Sequence, residues 1–290
     1  GVFVAGVLQL SFQLPFLARL GLLPKPKIDW KDDTVRKVLR LMAPAIFGVS
    51  ISQINLTLDT VLASFLVDGS ITWLYFSDRL IELPLGVFGV GIATVVLPNL
   101  SRQFKREGQD FSPTLDWAFR LVLIIGVPAA IALIILAQPI LFTLFQYDKM
   151  AIHDIEMASL SLRAYALGLL AFMLIKILAS AYFSRQDTRT PVKIGVIAMV
   201  VNMLMNLVFV LPLLYLWNIG HVGLAFATTC SAYLNAMLLY RGLRRAGVYV
   251  PQARWLRYAT QLFVATVEMS AVLVSVLVWQ GSYAALSALE

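Results

Sequence analysis

Gly69-Ser-Ile-Thr-Trp-Leu-Tyr-Phe-Ser-Asp-Arg-Leu-Ile-Glu-Leu-Pro-Leu-Gly-Val-Phe-Gly-Val-Gly-Ile-Ala-Thr-Val-Val-Leu-Pro-Asn-Leu-Ser-Arg102 decides the fold. It reads as a membrane-spanning helix, yet Asp78, Arg79 and Glu82 sit inside it. Arg79 follows Ser70 by nine residues, about 14 Å at the α-helical rise. That is near the middle of a hydrocarbon layer about 30 Å thick. A charge there costs roughly 2.5–3.5 kcal/mol on insertion scales, so such residues normally face a bundle interior or a watery path. Asp78 and Glu82 are four apart and Arg79 and Glu82 three apart, so these pairs can share a face. They read either as a functional cluster or as a structural ion pair that neutralises itself. Pro84 removes a backbone bond and kinks the helix. Gly86, Gly89 and Gly91 allow either bending or close packing of a neighbouring helix.

The rest of the chain has the same character. It is 60% hydrophobic and 13% charged, about half the charge of an ordinary soluble domain. Repeated long apolar runs predict an all-α integral membrane protein, a polytopic helical bundle, rather than a barrel of short alternating strands. Eight spans are predicted, at about 1–18, 34–66, 70–100, 114–145, 155–183, 190–216, 220–242 and 256–280. The prolines and charges of residues 21–33 mark a linker that does not span, with Asp33 or Thr34 able to cap the next helix. The chain opens on Gly1 already inside an apolar run, which reads as a piece of a longer protein.

Nineteen of the 23 basic residues cluster around positions 19–40, 102–120, 185–193 and 241–257. These clusters follow every second span, which predicts that those loops are cytoplasmic. The intervening loops carry Asp68, Asp148, Asp154 and Glu156, with Lys149. The net charge of +7 is thereby spread over four loops facing anionic membrane lipids, which argues against nucleic acid as a partner.

Three basic residues lie within spans. Lys176 precedes Arg185 by nine residues, about 14 Å from the inner surface; it reaches a cavity or snorkels. Arg163 sits in the outer half of its span. Arg79, Lys176 and Arg163 together predict a cationic chamber for an anionic substrate, phosphate above all, which arginine grips with two prongs. A second polar set comprises Asp59, Asn202, Asn206, Thr228 and Thr229, with Gln53 and Asn55 as further members. Their oxygens suit a hard cation, and they equally suit interhelical hydrogen bonding. Cys230 is the single cysteine, and His153 and His221 are far apart in sequence, so no firm metal site and no disulfide framework is expected. No metalloprotease, phosphate-loop or nucleophile-elbow motif appears; a transporter, not an enzyme, is expected.

Trp73-Leu-Tyr-Phe-Ser-Asp-Arg-Leu-Ile-Glu-Leu-Pro84, with Gly91-Ile-Ala-Thr-Val-Val-Leu-Pro-Asn-Leu-Ser101, resembles the eighth helix of the MurJ (MviN) lipid II flippases. That family belongs to the multidrug/oligosaccharidyl-lipid/polysaccharide (MOP) exporter superfamily. Leu144-Phe-Gln-Tyr-Asp-Lys149, Tyr182-Phe-Ser-Arg-Gln-Asp-Thr-Arg-Thr-Pro-Val-Lys193 and Pro44-Ala-Ile-Phe-Gly-Val-Ser-Ile-Ser-Gln53 agree in order and spacing. The resemblance covers nearly the whole chain. It implies that residues 1–20 are similar to family helix six, 21–37 are a cytoplasmic linker, 38–247 are the second six-helix lobe, and 248–290 are a cytoplasmic link with helix thirteen. The first lobe, whose arginines share the family's central cavity, lies outside these 290 residues.

The resemblance implies flipping of undecaprenyl-pyrophosphate-linked peptidoglycan precursor, lipid II, across the bacterial cytoplasmic (inner) membrane by alternating access. Arg79 would bind pyrophosphate, Lys176 would add positive potential, and Asp78 and Glu82 would orient Arg79. No cofactor is implied; a coupling ion (Na+ or H+) or the membrane potential would supply energy. Cell-wall synthesis proteins are candidate partners. The alternatives are another MOP exporter, for a polyprenyl-linked glycan or a drug, and a non-transporting scaffold for cell-wall enzymes.

Overall fold

The computed structural model describes residues 2–21, 32–106, 111–146, 150–252 and 255–287. Most of the 21–37 linker, Asp148, Lys149 and Arg254 lie outside them. The described residues are helical almost throughout. Ten helices follow in order: α1 Val2–Arg19, α2 Asp33–Ala63, α3 Ser70–Pro84, α4 Gly91–Arg106, α5 Ser112–Ile135, α6 Ala137–Phe145, α7 Ile152–Ser184, α8 Arg189–Trp217, α9 Gly220–Arg245 and α10 Trp255–Ser287. A π-helical stretch, Leu85–Val90, joins α3 to α4. The chain divides into two compact units, Gly1–Met42 and Ala43–Glu290. α2 is helical from Asp33, beside the predicted start of the second span at about 34.

Among the described residues, six helices are long and apolar enough to cross a membrane, near the eight expected but not the same count. The apolar helix Phe3–Arg19 falls short in length. α2 is long, but its sequence mixes Arg36, Lys37 and Arg40 with Gln53, Asn55 and Asp59, which dilutes its apolar character. The other spans end within a few residues of their predicted limits.

Prolines explain two further departures. The span predicted over 114–145 is two helices, divided at Leu136. Pro139 has no N–H to offer the carbonyl four residues back and its ring crowds that carbonyl. The chain therefore turns at Leu136 while the bonds from Leu136 N to Ala132 O (2.8 Å) and from Ile140 N to Leu136 O (2.9 Å) carry the axis across. Pro84 has the same deficit, and the turns after it widen into the π-helix Leu85–Val90. Such bulges bend a helix without breaking it.

In the second unit α7 is the central post. Its buried residues run from Ile155 to Ser184 and cover most of its circumference, as expected of a helix packed on several sides. α3, α4, α5, α6 and α9 all pack on it. Ser77 of α3 donates to Ala158 O of α7 (2.8 Å), and Trp73 Nε1 donates to Asp154 Oδ1 (2.9 Å). α8 lies against α9, where Gly223 lets the backbones meet: a Cβ there would stand 2.9 Å from the Phe209 and Val210 main chain. At the other end, buried Asp116 of α5 accepts from Tyr249 Oη (2.7 Å) and Trp255 Nε1 (3.0 Å) and pairs with Arg120. Burial and the bond to Asp116 push the Tyr249 phenol well above its ordinary range. This clasp ties the start of α10 to α5.

Candidate functional site

Two polar sites stand in the second unit, and they are built differently. The first is the outer face of α3. The buried side of that helix is Ser70, Trp73, Leu74, Ser77, Leu80 and Ile81, which fixes its rotation against α7. Arg79 and Glu82 are thereby turned outward, their side chains 53% and 51% exposed, and they form an ion pair. The Arg79 guanidinium also lies over the Tyr75 ring, 5.0 Å from its centroid. Asp78 turns the other way and is half-buried. Glu82 and Tyr75 are thus the side chains in contact with the arginine.

The second site joins α2, α8 and α9. Asn206 Nδ2 donates to Asp59 Oδ1 at 2.8 Å and to Asn202 Oδ1 at 3.3 Å. Thr228 Oγ1 donates to Asp59 Oδ2 at 3.4 Å, and Asn202 Nδ2 donates to Thr228 at 3.3 Å. Asn55 completes the set, its Nδ2 donating to Asp59 Oδ2 at 3.3 Å. Asn202 and Asn206 are buried; one turn apart on α8, they present one face to α2 and α9. Thr229 belongs elsewhere: next to Thr228 on α9, it points about 100° away and donates to Ala164 O of α7 at 2.8 Å. Gln53 is exposed, and its carbonyl accepts from Thr57.

A cleft of about 730 Å³ opens beside this cluster, and Asn55, Asn202 and Thr228 form part of its wall. Thr94, Asn235 and Lys176 also line it. Lys176 thus reaches a cavity, the first of its two readings. Neither Arg79 nor Arg163 is among the lining residues. Arg163 precedes the cleft residue Phe172 by nine positions, about two and a half helical turns, so it projects from the opposite side of α7. The three basic residues do not share one chamber within this chain. The cleft brings Lys176 together with the Asp59 set, and Arg79 has a face of its own.

The amide orientations leave Asn55 Oδ1 and Asn206 Oδ1 buried without a partner. Amide O and N positions exchange by a simple flip. As placed, the amide nitrogens face Asp59 and the oxygens turn away from it; only with both amides reversed would oxygens line the site as a hard cation requires. Among the described residues no group of three His, Cys, Asp or Glu side chains comes together; a site here would rest on one carboxylate with neutral oxygens. Sequence reasoning overlooked Asp116, which sits among apolar residues near the start of its span, and Trp73, whose bond to Asp154 spans 81 positions.

The second unit is thus a bundle of apolar, membrane-crossing helices around a central post, with a polar cleft and an outward arginine. The sequence profile described as lipid II flippase MurJ matches residues 1–289, and the chain belongs to that family. It is 52% identical to the probable lipid II flippase MurJ of Haemophilus influenzae, over 93% of this chain and 53% of that protein. It is equally 52% identical to the one from Vibrio cholerae, over 97% and 52%. The chain therefore spans about half the length of the curated relatives it matches. A solved lipid II flippase MurJ in an inward closed conformation superposes with a TM-score of 0.69 and 25% identity, covering 89% of this chain and 52% of that one. An outward-facing multidrug resistance MATE family transporter of the MOP superfamily superposes at 0.61 with 16% identity, over 82% and 52%, and shares the fold.

Proposed function

We propose that the full-length protein to which this chain belongs flips lipid II, the substrate in its relatives' name, across the bacterial inner membrane, and that Arg79 grips the pyrophosphate. The observation that carries this is the outward, half-exposed guanidinium on a membrane-spanning helix, held by Glu82 and Tyr75. An arginine so placed has its planar fork oriented before the substrate arrives. Glu82 is the ligand that the phosphate displaces. Lys176, in the cleft of the same lobe, adds positive potential without direct contact. Alternating access of two lobes moves the lipid, and the other lobe completes the cavity. Transport, rather than chemistry on the lipid, is the role; cell-wall synthesis proteins are its candidate partners.

The test is complementation by Arg79→Ala, Arg79→Lys and Glu82→Gln in the full-length protein, beside membrane-protein level. Arg79→Ala should insert normally, since it removes a mid-span charge, and fail to support growth. Growth of Arg79→Ala at normal abundance would overturn the assignment.

A second reading concerns energy. With the Asn55 and Asn206 amides reversed to offer their oxygens, a cation beside Asp59, sodium first, would serve as the coupling ion. Sodium should then raise the thermal midpoint of the purified full-length protein by linkage, and Asp59→Asn should abolish the rise. A midpoint indifferent to sodium would leave hydrogen bonding as the cluster's whole role.

A further inference from the structure

A second cleft, of about 430 Å³, lies on the side of α7 away from the first. Leu174 and Leu178 line it, each two residues from Phe172 or Lys176 of the first cleft, which is about 200° around the helix. Phe119 and Leu123 of α5 and Tyr233 and Met237 of α9 form its other walls. Its deep end lies at one level on three helices. Leu123 is eleven residues past the start of α5 at Ser112, Leu174 is ten before the end of α7 at Ser184, and Tyr233 is twelve before the end of α9 at Arg245. Those counts are about 15–18 Å at the helical rise, or half of a hydrocarbon layer about 30 Å thick. The shallow end is formed by Tyr249 and Trp255, beside the basic cluster at 241–257 that marks the cytoplasmic side. The groove is therefore one leaflet deep.

Its walls suit hydrocarbon. Tyr249 and Trp255 turn their polar ends to Asp116, and Tyr233 gives its hydroxyl to Leu167 O, so ring carbon is left for the groove. A concave apolar wall of this kind gains dispersion contacts from a chain that fills it. Its mouth is basic. The Arg120 guanidinium, on a side chain 35% exposed, lies 5.3 Å from the centroid of the Trp255 ring. Exposed Arg244 continues the row Tyr233, Met237 and Tyr240 along α9, at spacings of four, three and four that keep one helix face. The acid at this end, Asp116, is buried and already pairs with Arg120. We propose that the groove binds one anionic phospholipid of the cytoplasmic leaflet, an acyl chain between α5, α7 and α9 and the phosphate at Arg244 and Arg120. A lipid seated there also packs against Trp255 and so holds the start of α10 to α5. It is a resident lipid and not cargo, because its phosphate sits at the membrane surface, whereas Arg79 offers its guanidinium at mid-span on α3, outside the groove.

The experiment uses full-length protein in detergent, titrated with phosphatidylglycerol or with phosphatidylcholine of the same acyl chains, and reads bound lipid by native mass spectrometry beside the thermal midpoint. The wild type should bind phosphatidylglycerol the more tightly and gain the larger rise in midpoint. Arg244→Gln should weaken phosphatidylglycerol about fivefold, the worth of one basic residue near an anionic surface, and leave phosphatidylcholine unchanged. Met237→Trp, a larger side chain on the half-exposed wall, should weaken both lipids alike. Both sites of substitution are exposed, so both variants should fold, and a wild-type midpoint without added lipid checks that they do. Equal binding of the two lipids by the wild type overturns the anionic assignment. Lipid binding untouched by Met237→Trp overturns the groove as the site. Binding of undecaprenyl pyrophosphate there in place of either phospholipid would make the groove a path for cargo and overturn the resident lipid. No bound lipid, with Met237→Cys closed to a membrane-soluble maleimide, would mean that another helix covers the groove and would overturn the proposal.

Discussion

Arg79, in a membrane-crossing helix, and Asp59, in the less apolar α2, are both charges set among apolar residues, and the protein treats them in opposite ways. Asp59 is met by Asn55, Asn206 and Thr228 from three helices of this chain. Arg79 has its polar contacts on its own helix, one turn away on either side, and half of its side chain stays open. A half-buried carboxylate surrounded by donors is satisfied within the bundle. An open arginine in the same setting has capacity left for a ligand from outside the lobe. The comparison separates a site that organises the bundle from one that the bundle displays.

The largest effect should come from the displayed site. Arg79→Ala should abolish complementation at normal abundance. Arg79→Lys should be impaired as well, because it keeps the charge and loses the planar fork. Full activity of the lysine variant would reduce Arg79 to a source of potential. Next comes the organised site. Asn206→Leu removes the 2.8 Å donor to part-buried Asp59, and losing a hydrogen bond to a charged group costs about 1.5–3 kcal/mol. The expected result is a lower thermal midpoint and reduced abundance; an unchanged midpoint would mean that water or another side chain replaces the amide.

Gly223→Ala should act on the same seam without touching charge. Its Cβ would meet backbone rather than a yielding side chain, and overpacking of this kind costs typically 1–3 kcal/mol. Stability equal to wild type would show that α8 and α9 can separate at no cost. Glu82→Gln should have the smallest effect on abundance, because the guanidinium it leaves is half-exposed. A large loss of protein in that variant would make Arg79 and Glu82 a structural pair and erase the contrast. Orientation is checked by cysteines at Asp68 and Arg189 in full-length protein lacking Cys230. The first should label from outside intact cells and the second should not; the reverse would invert the topology.

The sequence by itself determined the class and most of the helix limits, because long apolar runs punctuated by prolines and basic clusters are local signals. It also singled out every member of the Asp59 cluster, since polar side chains in apolar helices are few and conspicuous. Which of them meet was not legible. Thr228 and Thr229 are neighbours in sequence, yet one joins Asp59 and the other holds α7. Only helix rotation separates them, and rotation is set by packing against other helices. Arg163 and Lys176 show the same limit, pooled by charge and parted by the circumference of α7. Spacing paired Asp78 with Glu82, and the burial of Trp73, Leu74 and Ser77 turned Asp78 toward the bundle while Glu82 stayed on the open face. Depth in the membrane follows from counting residues along one helix. Direction depends on side chains far away in the chain, so the tertiary structure alone decided it.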